Sequence, residues 1–418
     1  MAHEPVGDAL TCGDTVLPDA PPYPARQGVA DSTDPSHDPV TEPLNAAGPV
    51  PPADTSRRRD ARIDVLRGIA LLMIFIDHIP GNAPALFTLH NFGFSDAAEI
   101  FVLLAGYSAM AAYGGLFQRA GAGPTLARIA WRCLRIYLYQ AGLLLATLLI
   151  VRAWMDYTHL VPRFGVRPLL DMGLLPGLLR GLMLNALPNY LDILPLYILL
   201  LALFPLVYLG LRRSVWGVLA LSGTIWLAAN VDHTINLPNA AAVDDGWYFN
   251  PFAWQFLFVI GAALSLAVRA RGGLLPRHPI LTAAAWIYLV CALLQAAPWG
   301  EWGLWDLRPL AMAAPDKSRV APLRLLHILA LTSLVFASPA LLRLSGRRWL
   351  HPFDACGRHS LEIFAAGCMA ALTGRILYRT LGPAWPLQVA VNLGGLALML
   401  GLGLALDARE RRRGRRLR

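Results

Sequence analysis

Long apolar runs separated by short polar connections set the architecture of this chain. Ten such runs lie near residues 63–80, 97–116, 129–151, 191–211, 214–231, 252–268, 279–297, 323–343, 358–380 and 385–406. A helix needs about 20 predominantly apolar residues to cross the hydrocarbon core of a bilayer. The pattern therefore predicts an all-α, polytopic integral membrane protein with about ten transmembrane helices. The connections alternate in charge. Those after the second, fourth, sixth and eighth runs carry Arg119 and Arg128; Arg212 and Arg213; Arg269, Arg271 and Arg277; and Arg343, Arg347 and Arg348. The connection after the first run has no Lys or Arg, and neither has the one holding Asp232, Asp244 and Asp245. Basic loops stay on the cytoplasmic side, so both termini are expected in the cytoplasm. The connection 152–190 breaks the rule with Arg152, Arg163, Arg167 and Arg180. Its apolar run at 168–187 is interrupted by Pro and Gly, which predicts an interfacial or re-entrant helix.

Composition agrees with this architecture. Hydrophobic residues make up 56% of the chain and charged residues 15%, against about 25% charged in soluble domains. The net charge of +9 is distributed as short arginine clusters between apolar runs, which argues for topology signals and against nucleic acid as a partner. Residues 1–60 are rich in Pro, Ala and Asp and poor in large apolar residues. They are expected to be a disordered cytoplasmic tail, with no signal-peptide pattern and a basic cluster, Arg57 to Arg59, before the first helix. Residues 61–406 form the transmembrane domain, and 407–418 a basic cytoplasmic tail. The five cysteines, Cys12, Cys133, Cys291, Cys356 and Cys368, make no CxxC pair, and no metal site is expected.

The first apolar run, RIDVLRGIALLMIFIDH (62–78), carries the candidate chemistry. Ionisable residues in a membrane helix are costly and mark function. Arg67 and His78 are about three turns apart, on nearly one face and roughly 16 Å apart along the axis. Elsewhere the polar residues sort into two layers. An inner layer holds Arg62, Arg67, Arg132, Arg135 and Arg358, whose planar multidentate donors suit a phosphate-bearing ligand. An outer layer holds His78, Asp77, Asp96, Glu99, Asp192 and His327 with the amides Asn91, Asn189, Asn250 and Gln255. Trp247 and Trp254 lie nearby, where an aromatic face would stack a sugar ring.

Histidine suits general-base work on a hydroxyl, with Asp77 or Glu99 orienting the imidazole. The two layers together suggest a cytosolic acyl-CoA as co-substrate, its phosphates on the inner arginines, and an acceptor on the outer amides. The Arg67–His78 separation is of the order of the reach of a pantetheine arm. A transporter or flippase with two polar gates is the alternative. It predicts matching motifs in the two halves, and no second copy of R.D..RG or FSDAAE occurs.

The block RIDVLRGIALLMIFIDHIPGN, followed by NFGFSDAAEIFVLLAG, closely resembles the OpgC family. NYLDILPLY, NPFAWQ, the stretch from Asp316 to His327, and GRHSLE resemble further blocks of that family in the same order. The resemblance spans about residues 60–380. More distantly, the R.D..RG…H pattern is similar to the acyltransferase-3 superfamily, whose candidate catalytic histidine matches His78. The resemblance implies a bacterial inner-membrane enzyme with succinyl-CoA as donor and a hydroxyl of a periplasmic glucan as acceptor. Glucan-synthesis proteins are the partners it implies beyond the bilayer.

Overall fold

The computed structural model describes residues 60–161, 165–242 and 245–416, with side chains to residue 413. Of the expected disordered tail, residues 1–59 lie outside the described residues, as do Arg163 and Asp244, while Asp60 caps α1. The described residues are helical, with no strand among them. In order they form α1 (Ala61–Asp77), α2 (Ala97–Ala109), α3 (Gly115–Ala120), α4 (Ala122–Thr158), α5 (Arg167–Asp171), α6 (Leu174–Leu182), α7 (Ile193–Arg213), α8 (Val215–Val231), α9 (Pro251–Ala270), α10 (Pro279–Ala296), α11 (Pro322–Ala337), α12 (Pro339–Leu344), α13 (His351–Arg358), α14 (Ser360–Leu381) and α15 (Trp385–Arg416).

Helices occupy all ten expected segments, but seven of them are long and apolar enough to cross a membrane by length and composition. The others, α1, α8 and α11, are 17, 17 and 16 residues long. The boundaries move for local reasons. Pro339 has no N–H and drives Ser338 out of the helical region, so the eighth run ends at Ala337 and Ser338 caps α12 instead. A π-helical turn, Met110–Gly114, joins α2 to α3. α4 runs for 37 residues, about 55 Å at 1.5 Å per residue, well beyond a hydrocarbon core of about 30 Å. The apolar part of 168–187 becomes the short helices α5 and α6, broken at Gly173. α15 continues without a break through the basic segment from residue 407.

The most extensive helix contacts are α2 with α9 and α1 with α13, and glycine creates both. A Cβ on Gly106 would overlap the Phe258 carbonyl, and one on Gly261 would overlap the Leu103 carbonyl. A Cβ on Gly68 would strike the Phe353 carbonyl, and one on Gly357 the Asp64 carbonyl. Two reciprocal glycine pairs thus bring helix backbones together, as small residues do between membrane helices. The outward surface is apolar: on α10, Ile280, Leu281, Trp286, Ile287 and Val290 are all exposed, a patch suited to lipid.

Adding a methyl at Gly261 is therefore expected to cost about 1–3 kcal/mol. Unfolding of Gly261→Ala in mixed micelles measures this. Gly394→Ala, whose Cβ meets nothing within 4 Å, is the control and leaves stability near wild type.

Candidate active site

His78 caps the C-terminal end of α1. Its Nδ1 faces the carbonyl of Ile74 one turn back. A carbonyl only accepts, so Nδ1 carries the proton and Nε2 keeps its lone pair. The imidazole packs on the ring of Tyr190, with centroids 4.8 Å apart. The guanidinium of Arg375, from α14, lies 4.4 Å over the other partner in this stack, the Tyr190 ring. Tyr190 holds φ at 76°, a left-handed conformation that a bulky residue rarely adopts and that concentrates at functional sites. The charges acting on His78 come from Arg375, Lys317 and Asp96.

The turn after His78 is fixed from behind. Asn82 donates to the Ile76 carbonyl at 3.0 Å and to Asn392 Oδ1 at 2.9 Å, and Tyr378 donates to Asn82 Oδ1 at 3.1 Å. Gln388 Oε1 accepts from the Ala83 N–H at 2.8 Å. The HIPGN block thereby locks the outer end of α1 to α14 and α15.

Beside this lies a four-charge cluster. Arg324 on α11 donates from Nε to Glu99 Oε1 at 2.6 Å and from a terminal nitrogen to Asp96 Oδ2 at 3.3 Å. Lys317 Nζ lies 2.6 Å from the same Asp96 oxygen. Asp96 and Glu99 are also the capping box of α2: Asp96 accepts from the Ala98 N–H at 2.8 Å, and Glu99 from the Asp96 N–H at 3.0 Å. Burial works to lower the Lys317 ammonium and to raise the Asp96 carboxyl. The opposite charges outweigh it, so Lys317 lies above its ordinary range and Asp96 below its own. Val320, ending this loop, also has positive φ, at 50°.

Several expected roles change on this geometry. Neither Asp77 nor Glu99 orients the His78 ring. Asp77 takes the Thr88 hydroxyl at 2.5 Å and sits 3.3 Å from His90 Nδ1, while Glu99 belongs to Arg324. Asn250 is buried and caps α9, accepting from the Phe252 N–H at 3.0 Å and donating to the Ile235 carbonyl at 2.6 Å. Gln255 ties α9 to α8 through both the hydroxyl and the carbonyl of Ser222. These two amides hold helices together. Trp247 and Trp254 are buried, and the Trp254 indole donates to the Ser318 carbonyl at 3.0 Å, so neither offers a face to a sugar. Asn189 is exposed, and Asp192 is buried at the start of α7, near enough to feel Lys317. His327 is buried, its Nδ1 2.6 Å from Ser95 Oγ, with its Nε2 unpaired among the described residues. A Cβ on Gly93 would strike that ring.

The inner arginines divide in the same way. Arg62, 2% exposed, grips Asp60 with two donors at 3.0 and 2.7 Å and donates on to the Gly273 carbonyl at 2.5 Å. Arg135 pairs with Glu362. Arg358 pairs with Asp354 and, at 2.9 Å, with Asp407. These three have carboxylate partners already, because each carboxylate neutralises a charge the bilayer edge disfavours. Arg67 is different. It is half-buried and bonds neutral groups only, the Ser108 hydroxyl at 2.8 Å and the Leu104 carbonyl at 3.1 Å. Arg132 has no ion pair or hydrogen bond among the described residues. Two functional candidates, Tyr190 and Arg375, escaped the sequence reading. An arginine inside an apolar run was signal enough for Arg375, whereas nothing local distinguishes Tyr190.

Near the His78 end of α1, a cavity of about 630 Å³ opens between the 90–94 segment and the loop from residue 295 to 315. It is lined by Asn91, Gln295, Glu301, Asp306, Arg308 and Arg324 among others. Its polar lining and size suit a hydroxyl-rich ligand. Arg324 belongs both to this lining and to the cluster beside His78. No group of three or more His, Cys, Asp or Glu among the described residues is arranged to hold a metal ion.

Residues 59–411 match the family model described as OpgC protein. No curated protein shows a significant match to the chain.

Proposed function

The chain belongs to the OpgC family, and we propose that it is an inner-membrane O-acyltransferase that moves an acyl group, most simply succinyl, from cytosolic acyl-CoA to a hydroxyl of a periplasmic glucan. The observation carrying this reading is His78: Nδ1 is committed to the Ile74 carbonyl, which leaves Nε2 as a base at the outer end of α1. Arg67 lies on nearly the same face, roughly 16 Å nearer the cytoplasm. Of Arg62, Arg67, Arg132, Arg135 and Arg358, Arg67 and Arg132 lack a carboxylate partner among the described residues and are the ones fitted to hold the CoA phosphates. Arg62, Arg135 and Arg358 are not fitted for it.

In the proposed reaction Nε2 takes the proton of the acceptor hydroxyl. The alkoxide oxygen bonds to the thioester carbonyl carbon, and the C–S bond breaks. The thiolate leaves toward the inner side and recovers a proton from the imidazolium. Arg375 and Lys317 put two positive charges around His78, a field that stabilises the oxyanion of the tetrahedral intermediate. An acyl-imidazole route uses the same atoms, with Nε2 as nucleophile. The acceptor reaches this point from the outer cavity that Asn91 and Arg324 line.

Arg375 also suits the free carboxylate of a dicarboxylic acyl group. A charge-assisted hydrogen bond to a carboxylate contributes about 1.5–3 kcal/mol, roughly a factor of 10–100. Arg375→Met is thus expected to lower kcat/KM for succinyl-CoA by that factor more than for uncharged butyryl-CoA, which loses only the oxyanion field. Equal losses for both donors would remove the contact to the acyl carboxylate and leave Arg375 the oxyanion field alone.

The reading itself is tested with purified protein in nanodiscs, radiolabelled succinyl-CoA and a linear β-glucan. Base-labile label on the glucan is the expected product. Absence of glucan label with every acyl-CoA tried would overturn it.

A further inference from the structure

A second cavity lies on the opposite, inner side of the bundle. It has a volume of about 130 Å³ and sits among the π-turn of Met110–Gly114, α3, and the last turns of α7 and α9. Its walls include Gly114, Gln118, Tyr208, Arg212, Leu266 and Arg269. At about 30 Å³ per water, the space takes a group of four or five heavy atoms. No Asp or Glu lines it.

Three features indicate what it holds. Tyr208 is 4% exposed, and its hydroxyl is buried with no hydrogen-bond partner among the described residues. Such a group is rare and costly unless something binds to it. The ring cannot easily turn away, because Phe117 stacks on it at 4.5 Å. Arg212 and Arg269 face the same space, and neither has a carboxylate partner among the described residues. The Arg212 guanidinium lies 6.0 Å from the Tyr208 ring centroid. Both side chains are exposed and line the cavity, so an anion there is attracted by both cations. Finally, the wall is formed by a π-turn, a local widening that recurs at functional sites.

Positive-inside topology accounts for arginines at these helix ends. It does not account for a shared cavity or for an orphaned phenol within it. The lip supplies the source of the anion: Leu266 is partly exposed at the cavity, and Leu206 and Leu209 of α7 are exposed on the apolar surface. A lipid with its phosphate among Arg212, Arg269 and Tyr208 has an apolar surface available for its acyl chains.

We propose that this cavity is a binding site for a phosphate ester, supplied by the headgroup of an inner-leaflet phospholipid. The proposal is independent of the acyltransferase reading, since none of these residues belongs to the His78 site.

The test titrates the full-length protein in detergent with phosphatidylglycerol and, separately, with inorganic phosphate, reading lipid retention by native mass spectrometry and the thermal midpoint. Wild type is expected to retain the lipid and to melt higher in its presence. Arg212→Gln/Arg269→Gln is expected to bind it about 10–100-fold more weakly, from the loss of two charge-assisted contacts. Tyr208→Phe leaves the lipid-free midpoint unchanged, because the hydroxyl has no protein partner to lose, and weakens binding several-fold. Arg213→Gln, outside the cavity, binds as wild type. Stabilisation by inorganic phosphate at matched concentration, lost in the double variant, retains the phosphate site and assigns it to a soluble ester. Equal lipid retention by wild type, the double variant and Tyr208→Phe overturns the proposal.

Discussion

His78→Ala lowers kcat for acyl transfer by about 10²–10⁴-fold, the usual contribution of a general base, with the thermal midpoint and donor affinity close to wild type. The separation follows from where the side chain sits. Its one side-chain hydrogen bond returns to the carbonyl of Ile74 in its own helix, and its contact with a distant segment is the ring packing on Tyr190. The outer end of α1 is held instead by Asn82, Asn392, Tyr378 and Gln388. Imidazole added to the alanine variant is expected to restore part of the rate, because the gap beside Tyr190 is ring-shaped. The companion variant His327→Ala reads differently. That ring is wedged against Gly93 and bonded to Ser95, so its removal leaves a cavity and lowers stability. Equal transfer by wild type and His78→Ala would remove His78 from the chemistry and direct attention to His327.

Arg324→Met destabilises the protein by about 3–5 kcal/mol, the cost of leaving buried charges without a partner. Glu99 is 0% exposed and has Arg324 as its partner at 2.6 Å. Without the guanidinium, Glu99 and Asp96 stand three residues apart at the start of α2 with Lys317 alone between them. The same substitution loosens α11 from α2 and enlarges the outer cavity that Arg324 lines. Adding Glu99→Gln to Arg324→Met is expected to recover most of the lost stability, since an uncharged amide keeps the capping bond to the Asp96 N–H. Unfolding in mixed micelles measures the cycle. Additive losses in the double variant would show that Glu99 and Arg324 do not act as a pair.

The helices were legible because a bilayer imposes one simple pattern, a run of apolar residues, on each. Their ends were less so. Pro339 ends α11 by a purely local rule, yet it lies inside an unbroken apolar run. α4 outgrows its apolar window because Arg128 below it is a good helix former and Arg152 and Asp156 above it pair along the helix. The glycines of the first two motifs also carried more than their sequence showed. Gly68 reads as one residue of R.D..RG, but its meaning comes from Gly357, far along the chain, whose helix it allows to approach.

Residue type alone singled out the candidate His78 at a helix end, whereas Lys317, which joins the cluster with Asp96, was not among the candidates. The site was not legible where a distant partner decides the role. Arg62, Arg135 and Arg358 have the chemistry of phosphate ligands, but Asp60, Glu362 and Asp407 occupy them. Asn250 precedes Pro251 at a helix start, a capping signal already present in the sequence. Gln255 has no such signal, because its partner Ser222 lies on another helix. Arg212 appeared to be a topology signal until its cavity with Tyr208 was seen.

The most direct test of the central claim separates donor from acceptor. Proteoliposomes of known orientation receive radiolabelled succinyl-CoA on the cytoplasmic face only and a β-glucan on the other face only. The account predicts labelled glucan across the sealed membrane with wild type, and almost none with His78→Ala or with the two substrates exchanged. Label that appears only when both substrates share one face, or that persists in His78→Ala, would contradict it.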